Sequence, residues 1–295
     1  MNLTPSQKTW EITSETKVCA LIGDPVAHSL SPTIHNAAFK ALGLNYAYVA
    51  FRVVDEELKD AISGCRSLGF IGFNVTMPHK TRVAPFLDVV DAAAQKIGAV
   101  NTVLNKGGEL KGYNTDGLGA LQALKEQGVS LDGTKVVLLG AGGAARAISY
   151  HIAGEVGELV ILNRTERRAT ELAEELARHL GNKIVGGHLR SDIARREICE
   201  ADVLINATPV GMNPLSRSTP IDLRLIRPDL VVFDTVYDPP DTELLRRASA
   251  VGAKAISGIC MLIHQGASSF KIWTGREAPL DLMRRAALQA LEGKR

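Results

Sequence analysis

The fold of this chain is decided by one stretch, Lys135-Val-Val-Leu-Leu-Gly-Ala-Gly-Gly-Ala-Ala-Arg146. Its apolar run Val136 to Leu139 predicts a strand that is buried on both faces. The turn Gly140-x-Gly142-x-x-Ala145 follows, then an Ala-rich helix to about Ile152 and a second apolar strand, Leu159 to Leu162. Glycines between a strand and a helix let backbone N–H groups approach a pyrophosphate. This βαβ unit therefore predicts a dinucleotide site, with a purely structural turn as the alternative.

The residues after the second strand of this unit indicate which dinucleotide is bound. NAD-binding folds usually carry an acid there, whereas this chain has Asn163-Arg-Thr-Glu-Arg-Arg168. Guanidinium groups and a hydroxyl bind a 2′-phosphate through charge-assisted hydrogen bonds. With a helix predicted over Arg164 to Leu180, Arg164 and Arg168 would share one helix face and converge on one phosphate. The segment favours NADP, although a basic helix start with Thr165 as N-cap accounts for the same residues.

Composition limits the class of protein. A chain of 295 residues with 45% hydrophobic content can bury a large core and is expected to form two domains. A net charge of +2 gives no electrostatic reason to expect a nucleic acid or an anionic membrane as partner. The polar start, Met1 to Thr16, lacks the apolar segment of a signal peptide. The four cysteines are scattered, which is typical of reduced thiols, so we expect a cytoplasmic protein.

Strands and helices alternate before the nucleotide motif, which predicts a separate α/β domain. Strands are expected at Val18 to Ile22, Tyr46 to Val53 and Phe70 to Thr76, with a hairpin around Gly107-Gly108. The third strand leads into Asn74-Val-Thr-Met-Pro-His-Lys80. Polar residues past the carboxyl end of a strand lie where open α/β sheets bind ligands. We therefore expect this segment to belong to a site.

Three further positions carry polar groups that suit a small ligand. Ser31 is placed as N-cap, and Pro32 as first residue, of a helix through Leu42, so that the N–H groups and the hydroxyls of Ser29 and Ser31 could bind a carboxylate. Asn101 and Asp116 flank the hairpin and are brought close together at the end of the first domain. Ordinary helix caps at Ser31 and Asp116, and a surface position for Lys80, are the structural alternatives.

After the nucleotide motif the β–α units continue as far as a short strand, Ala253 to Ser257. From Ile259 onward two helices are predicted without a further strand, and Met261 and Gln265 lie on one face of the first of these. Helices without a sheet of their own are expected to pack on the first domain. The prediction is a two-domain α/β protein: an N-terminal α/β substrate domain (1–116), a Rossmann-type doubly wound parallel-sheet domain (117–258) and C-terminal helices (259–295) that return to the substrate domain. The active site is expected in the cleft between the domains.

Taken together, these motifs resemble those of the shikimate dehydrogenase family, which includes shikimate/quinate dehydrogenases. The likeness runs from about Val18 to Leu291. It rests on six spaced motifs in the order of the family: His28-Ser-x-Ser31-Pro, Asn74-Val-Thr-x-Pro-His-Lys80, Gly98-Ala-x-Asn101-Thr, Gly112-x-Asn114-Thr-Asp116-Gly, the nucleotide loop and Asn163-Arg-Thr165. The resemblance implies an NADP-dependent enzyme that interconverts shikimate and 3-dehydroshikimate in aromatic amino-acid biosynthesis.

The resemblance also implies a role for individual residues. Lys80 and Asp116 would be the catalytic pair beside the reacting C3 oxygen. The substrate carboxylate would be held by Ser29, Ser31 and Tyr237, and the ring hydroxyls by Asn74, Thr76, Asn101 and Gln265. The pyrophosphate would lie on Gly140, Ala141, Gly142, Gly143, Ala144 and Ala145, and the 2′-phosphate on Asn163, Arg164, Thr165 and Arg168. Cofactor contacts are also implied for Thr208, Gly258 and Met261, the last two at the nicotinamide.

Three other interpretations differ from this one in a recognisable residue pattern. A quinate/shikimate dehydrogenase that prefers NAD tends to carry an acid after the second strand, where this chain has Arg164 and Arg168. A repressor-type module that senses the ligand without turnover would lack the Lys80–Asp116 pair or the nucleotide loop. A folate or glutamyl-tRNA type dehydrogenase would not explain the two serines before Pro32. We expect a small-molecule substrate, a monomer or homodimer, and no metal.

Overall fold

The computed structural model describes residues 11–180, 183–213 and 216–293, and its strands form two six-stranded sheets. The domain built on the first sheet is called the first domain, and the domain built on the second sheet the second domain. In chain order, the first elements are β1 (Lys17–Gly23), α1 (Ser31–Ala41), β2 (Tyr46–Arg52), α2 (Leu58–Ser67), β3 (Gly72–Val75), β4 (Val89–Val90), α3 (Ala92–Ile97), β5 (Thr102–Lys106) and β6 (Glu109–Tyr113).

The first sheet is mixed, with strand order β2-β1-β3-β5-β6-β4. Strands β1, β2 and β3 run parallel, and β5 and β6 form the antiparallel hairpin predicted around Gly107-Gly108. Both glycines have positive φ, 63° and 94°, which residues with a Cβ rarely adopt. Strand β4 was not predicted, because two residues are too few to show a periodic pattern.

The remaining elements are α4 (Asp116–Glu126), β7 (Lys135–Leu139), α5 (Gly143–Ile152), β8 (Glu158–Asn163), α6 (Glu166–Leu180), β9 (Lys183–His188), α7 (Asp192–Glu200), β10 (Val203–Asn206), β11 (Val231–Asp234), α8 (Glu243–Ala250), β12 (Lys254–Ser257), α9 (Gly258–Thr274) and α10 (Leu280–Glu292). The second sheet is wholly parallel, in the order β12-β11-β10-β7-β8-β9. The chain thus winds outward in both directions from β7, the doubly wound arrangement. The predicted two-domain α/β fold class is confirmed.

Each sheet is covered by helices on both faces, as parallel strands require. In the second sheet, α4, α5 and α6 pack on one face, and α7 and α8 on the other. Residues Val136 to Leu139 of β7 are fully buried, in agreement with the apolar run in the sequence. In the first sheet, α2 and the segment around Val83 cover one face. The opposite face packs against α1 and the two C-terminal helices, α9 and α10.

Helices α4 and α9 connect the two domains and pack closely against each other. A Cβ added at Gly119 of α4 would lie 2.8 Å from the Cβ of Gln265 on α9, so only glycine fits at this crossing. Met261 of α9 packs in the core of the second domain, whereas Ile263 and Phe270 of the same helix pack in the core of the first. In the described ranges, no helix combines the length and the apolar character that a membrane span requires.

The predicted starts of α1 and α6 are wrong, and so is the alternative in which Asp116 is a helix cap. Helix α1 begins at Ser31 with Leu30 as N-cap, so Ser31 is not the cap and Pro32 is the second helical residue. Ser29 supplies the local partner instead, since its hydroxyl accepts a hydrogen bond from the Ser31 N–H at 3.2 Å. Asp116 is the first residue of α4, after Thr115 as N-cap. Helix α6 begins at Glu166, so Arg164 precedes it.

Candidate active site

A cleft of about 810 Å³ lies between the two domains, at the carboxyl ends of their central strands. It is lined by all of the residues that the sequence assigned to catalysis or to the substrate: Ser29, Ser31, Asn74, Thr76, Lys80, Asn101, Asp116, Tyr237 and Gln265. These positions come from the first domain, from the loop after β11 and from α9. Folding therefore gathers residues that are separated by more than half of the chain.

The predicted cofactor residues divide into three groups. One group lines the same cleft: Ala141, Gly142, Gly143, Ala144, Arg168, Thr208, Gly258 and Met261. Gly140 and Ala145 are buried beneath the nucleotide loop, where they shape it. Asn163, Arg164 and Thr165 lie at the partly or fully exposed entry to α6, beyond the residues that line the cleft.

Lys80 and Asp116 form an ion pair on the floor of the cleft. The Nζ atom of Lys80 lies 2.6 Å from Oδ2 of Asp116, and the two side chains are 20% and 4% exposed. Lys80 lies in the turn after β3, and Asp116 begins α4. The second carboxylate oxygen, Oδ1, accepts a hydrogen bond from Nδ2 of Asn101 at 2.9 Å. The carboxylate is thereby held in one orientation, and it holds the lysine ammonium at the cleft surface.

Two buried amides, those of Asn74 and Asn101, are held by hydrogen bonds from several elements. Nδ2 of Asn74 donates to the Asn101 carbonyl, to Thr102 Oγ1 and to Ser269 Oγ at 3.0, 3.0 and 3.2 Å. Its Oδ1 accepts from the Tyr48 hydroxyl at 2.7 Å. With both of its N–H groups engaged, Asn74 offers its remaining acceptor capacity to a ligand hydroxyl.

The side chains that support these amides were missed from the sequence: Tyr48, Thr102, Thr115 and Ser269. Thr115 receives a 2.9 Å bond from Nδ2 of Asn101, and Ser269 reaches the same cluster from α9. Thr102 and Thr115 stand inside motifs of the sequence, but no role was assigned to them there. No local pattern marks Tyr48 or Ser269, because each acts through a contact with a distant part of the chain. Polar residues on otherwise apolar element faces are the one signal that could have identified them.

The serine hydroxyls at the start of α1 meet two tyrosines. Ser29 hydrogen-bonds with Tyr237 and Ser31 with Tyr48, and both bonds oppose the dominant effect of burial, which raises the pKa of each phenol. Both tyrosines therefore stay neutral donors over the physiological range. Because Ser31 is not an N-cap, its hydroxyl is not engaged with its own helix. Two serines, a tyrosine and the N-terminal turn of α1 make this end of the cleft suitable for an anion.

The nucleotide loop approaches the lysine directly. Gly140 has a φ of +111°, and a Cβ there would lie 2.9 Å from the carbonyl oxygen of Ala207. A Cβ at Gly143, the first residue of α5, would lie 3.0 Å from Cβ of Lys80. The conformation at Gly140 therefore favours glycine, and a side chain at Gly143 would crowd Lys80. The N–H groups of the first turn of α5 open on the cleft, as a bound pyrophosphate requires.

A buried network supports the loop after β10. Nδ2 of Asn206 donates to Asp234 Oδ1 at 2.9 Å, and Oδ1 of Asn206 accepts from the Thr208 hydroxyl at 2.7 Å. Thr242 donates to the other oxygen of Asp234 at 2.7 Å. Burial raises the pKa of Asp234 to about 6, against the opposing effect of these hydrogen bonds. The network fixes Thr208 at the cleft wall.

The arrangement at the entry to α6 differs from the prediction. Because Arg164 precedes the helix, it does not share a helix face with Arg168, and the argument from residues four apart is wrong. The entry is instead shaped by a bond from Asn163 Nδ2 to the Thr165 carbonyl at 3.0 Å. Both guanidinium groups are exposed, which leaves them available to a phosphate. Within the described ranges, no cluster of three or more His, Cys, Asp or Glu side chains is arranged to hold a metal ion.

Comparison with known protein families gives three matches along the chain. Residues 21–103 match the model described as shikimate dehydrogenase substrate binding domain. Residues 122–224 match that of shikimate / quinate 5-dehydrogenase, and residues 258–288 match the shikimate 5'-dehydrogenase C-terminal domain.

Individual proteins are similar over nearly the whole chain. The shikimate dehydrogenase (NADP(+)) of Methanopyrus kandleri is 50% identical over 284 residues, which are 95% of this chain and 98% of that protein. A shikimate dehydrogenase solved in complex with NADP+ has a TM-score of 0.89 and 45% identity, covering 95% of this chain and 98% of its own. The shikimate 5-dehydrogenase of Thermus thermophilus, solved with NADP(H) and shikimate, has a TM-score of 0.84 and 39% identity, with 94% and 100% covered.

Proposed function

Because the chain belongs to the shikimate dehydrogenase family, we propose that it catalyses the reversible NADP-dependent oxidation of shikimate to 3-dehydroshikimate. The observation that carries this proposal is the convergence of Lys80, Asp116 and Gly143 in one cleft. A proton donor lies directly beside a glycine turn that suits a dinucleotide. The same cleft ends at the hydroxyls of Ser29 and Ser31, where a carboxylate fits.

Lys80 is the proton donor in reduction and the base in oxidation. Its ammonium reaches the cleft surface, while Asp116 fixes its position through the 2.6 Å contact. In the reducing direction the ammonium supplies the proton that a developing alkoxide needs. The cofactor, when bound, supplies or accepts the hydride at C3. Asp116 and Asn101 orient the lysine and the adjacent hydroxyl.

The substrate is held along the cleft by groups of complementary chemistry. Ser29, Ser31 and Tyr237 offer hydroxyls to the carboxylate at one end. Asn74, Thr76, Asn101 and Gln265 face the ring hydroxyls. The amide of Gln265 lies near that of Asn101, with Oε1 3.5 Å from Nδ2. A planar carboxylate and several ring hydroxyls on one small molecule would satisfy these groups together.

The cofactor residues belong to the second domain and to α9. The turn from Gly140 to Ala145 would hold the pyrophosphate with backbone N–H groups, and its glycines leave the space that this contact requires. Asn163, Arg164, Thr165 and Arg168 would bind the 2′-phosphate, which NAD lacks. Thr208, Gly258 and Met261 would line the nicotinamide end. We assign 1–116 and 259–295 to the substrate and 117–258 to the cofactor; the first ten residues lie outside the described part.

We further propose a cytoplasmic location and a monomer or homodimer. All four cysteines lie in described residues and are free, which agrees with a reducing compartment. Light scattering on the purified protein tests the oligomeric state, and cell fractionation tests the location.

Initial rates with shikimate or quinate and with NADP+ or NAD+ test the function. We expect shikimate with NADP+ to give the highest kcat/KM. The family name shikimate / quinate 5-dehydrogenase makes quinate the relevant competitor. Higher kcat/KM with quinate and NAD+ would assign the chain to quinate metabolism, and no turnover with any pair would refute the proposal.

A further inference from the structure

Arg146, the last residue of the nucleotide motif, has no part in the function proposed above, yet its side chain reaches into the other domain. Its Nε donates to the carbonyl oxygen of Ile97 at 2.6 Å, and Ile97 is the last residue of α3. Its terminal nitrogen NH2 donates to Glu175 of α6 at 2.7 Å. The side chain is only 21% exposed. One guanidinium thus bonds to both domains.

The receiving surface is shaped for this side chain. Gly98 follows Ile97 with a φ of +68°, and a Cβ there would lie 2.8 Å from NH2 of Arg146. A Cβ at Gly98 would push the Arg146 guanidinium away from this position, and the positive φ of Gly98 itself favours glycine. The carbonyl groups at the end of α3 carry the negative end of its dipole, so a cation is favoured there. Ile97 and Ala99 also pack against Ala147, the residue after Arg146.

The segment that begins at Ile97 leads directly to the catalytic pair. The N–H of Val100 donates to the backbone carbonyl of Lys80 at 2.8 Å. Asn101, the next residue, holds the carboxylate of Asp116. On the other side of the contact, Arg146 lies in the first turn of α5, three residues after Gly143. A Cβ at Gly143 would lie 3.0 Å from Cβ of Lys80, so the start of this helix lies against the lysine. Arg146 therefore connects the start of the nucleotide helix to the segment that supports Lys80 and Asp116.

We propose that Arg146 is a positioning residue, which sets the distance between the nucleotide helix and the catalytic pair by holding segment 97–101 against α5. This inference rests on the proposed dehydrogenase function. The cofactor is bound by one domain and the substrate by the other, so the placement of one domain on the other determines the approach of the reacting atoms. Because reacting atoms must be placed to within about 1 Å, a small displacement slows the chemical step without removing a ligand contact.

The central variant is Arg146→Ala, measured with shikimate and NADP+. We expect kcat to fall roughly 10- to 10²-fold, with the KM for shikimate and the Kd for NADP+ at the parent values. The deuterium isotope effect on kcat with shikimate labelled at C3 should increase, because the chemical step becomes rate-limiting. Arg146→Lys keeps a cation that can reach the Ile97 carbonyl, and should recover part of kcat.

Glu175→Ala is the matched control. It removes the partner of Arg146 within the second domain and leaves the bond to Ile97 intact, so kcat should stay at the parent value. A second measurement needs no turnover. In the protein without ligands, hydrogen exchange at the Val100 N–H should be faster in Arg146→Ala than in the parent, and unchanged in Glu175→Ala.

Several results would overturn the inference. A raised Kd for NADP+ with kcat unchanged would make Arg146 a cofactor ligand. Equal losses of kcat in Arg146→Ala and Glu175→Ala would make it part of an ion pair internal to the second domain. If Arg146→Ala does not fold, a parent-like kcat in Gly98→Ala, which crowds the same contact, would contradict the positioning role. A parent without turnover refutes the proposed function instead, and the exchange measurement then still tests the contact.

Discussion

The two walls of the cleft recognise their ligands in different ways. On the wall of the first domain, buried side chains such as Asn74, Asn101 and Asp116 are held by bonds from several elements. On the wall of the second domain, a glycine turn presents backbone groups, and the charges of Arg164 and Arg168 are exposed. The difference indicates that geometry on the first wall is fixed before binding, whereas the charged contacts on the second form on binding and depend on salt.

Lys80→Ala should have the largest effect, because it removes the proton donor from the fixed wall. We expect kcat to decrease by roughly 10²- to 10⁴-fold, with a much smaller change in the KM for shikimate. Steady-state rates in both directions measure this. Lys106→Ala, an exposed lysine, is the control. A Lys80→Ala enzyme with nearly the parent kcat would remove the lysine from the mechanism.

The double variant Arg164→Ala with Arg168→Ala tests the exposed wall. Each charge-assisted hydrogen bond is worth about 1.5–3 kcal/mol, so the KM for NADP+ should rise by roughly 10²-fold or more. Rates with NAD+ should be unaffected, because NAD+ lacks the phosphate. Arg167→Ala removes an equal charge from the same turn, at a residue paired with Glu171, and should leave the KM for NADP+ unchanged.

The dependence of KM on ionic strength gives a second test of the 2′-phosphate site. The KM of the parent for NADP+ should increase with ionic strength more than its KM for shikimate, because exposed charges are screened. Matched losses with NADP+ and NAD+ in the double variant would mean that the arginines support the fold of the second domain.

Ser31→Ala tests the carboxylate end of the fixed wall. Loss of one donor to a charged acceptor should cost about 1–3 kcal/mol, or roughly 5- to 150-fold in kcat/KM for shikimate. The Kd for NADP+ should be unchanged. Because the Ser31 hydroxyl also hydrogen-bonds with the buried Tyr48, its removal should lower the melting temperature slightly. An equal loss with an analogue that lacks the carboxylate would contradict the assignment.

Acid should affect the two domains in opposite directions. His35 lies in the core of the first domain, stacked on Tyr48 at 4.5 Å, and burial lowers its pKa from 6.5 to about 3. Within the described residues, neither ring nitrogen has a hydrogen-bond partner. Between these pH values the unfolded chain binds the proton and the folded chain does not. The contribution of His35 to the free energy of unfolding should therefore decrease by about 1.4 kcal/mol for each pH unit between 6.5 and about 3.

Urea unfolding of the parent and of His35→Phe, at pH 7 and pH 5, measures the contribution of the histidine. The variant should lose less stability than the parent. Asp234 gives the opposite sign, because its folded pKa is raised from 3.8 to about 6, so its contribution is present at low pH and is lost as the pH rises through 6. If the parent and His35→Phe lose the same free energy of unfolding between pH 7 and pH 5, the pKa of His35 does not differ between the folded and unfolded states.

The second domain was the more predictable of the two from sequence. Its nucleotide turn and the strand β7 depend on local chemistry, that is, on glycines and apolar runs. In the first domain, the hairpin is predictable for the same reason. The start of α1 was wrong because the helix begins one residue earlier, at Ser31, whose free N–H is accepted by the hydroxyl of Ser29. The start of α6 was wrong because Asn163 bonds the Thr165 carbonyl and shapes a turn before the helix.

The support of the candidate site could not be predicted for a different reason. Ser269 meets Asn74 across 195 positions of sequence, and Arg146 meets Ile97 across 49. Such contacts are decided by how whole elements pack, and no local pattern encodes them. Ser29, Ser31 and the segment Asn74 to Lys80 were found because they lie just past a strand or at a helix start, where the topology of a parallel sheet brings ligands. The roles of Tyr237 and Gln265 were implied only by the resemblance to the family.

The packing of α9 and α10 on the first sheet has a consequence for the order in which the two domains fold during synthesis. Phe270, Trp273 and Met283 belong to the core of the first domain, yet the ribosome makes them after the whole of the second sheet. When the second domain has been made and can fold, one face of the first sheet is covered by α1 but still lacks α9 and α10. The domain that is synthesised first thus completes its fold after the second, and until these helices are made its apolar face is a surface that a chaperone can protect.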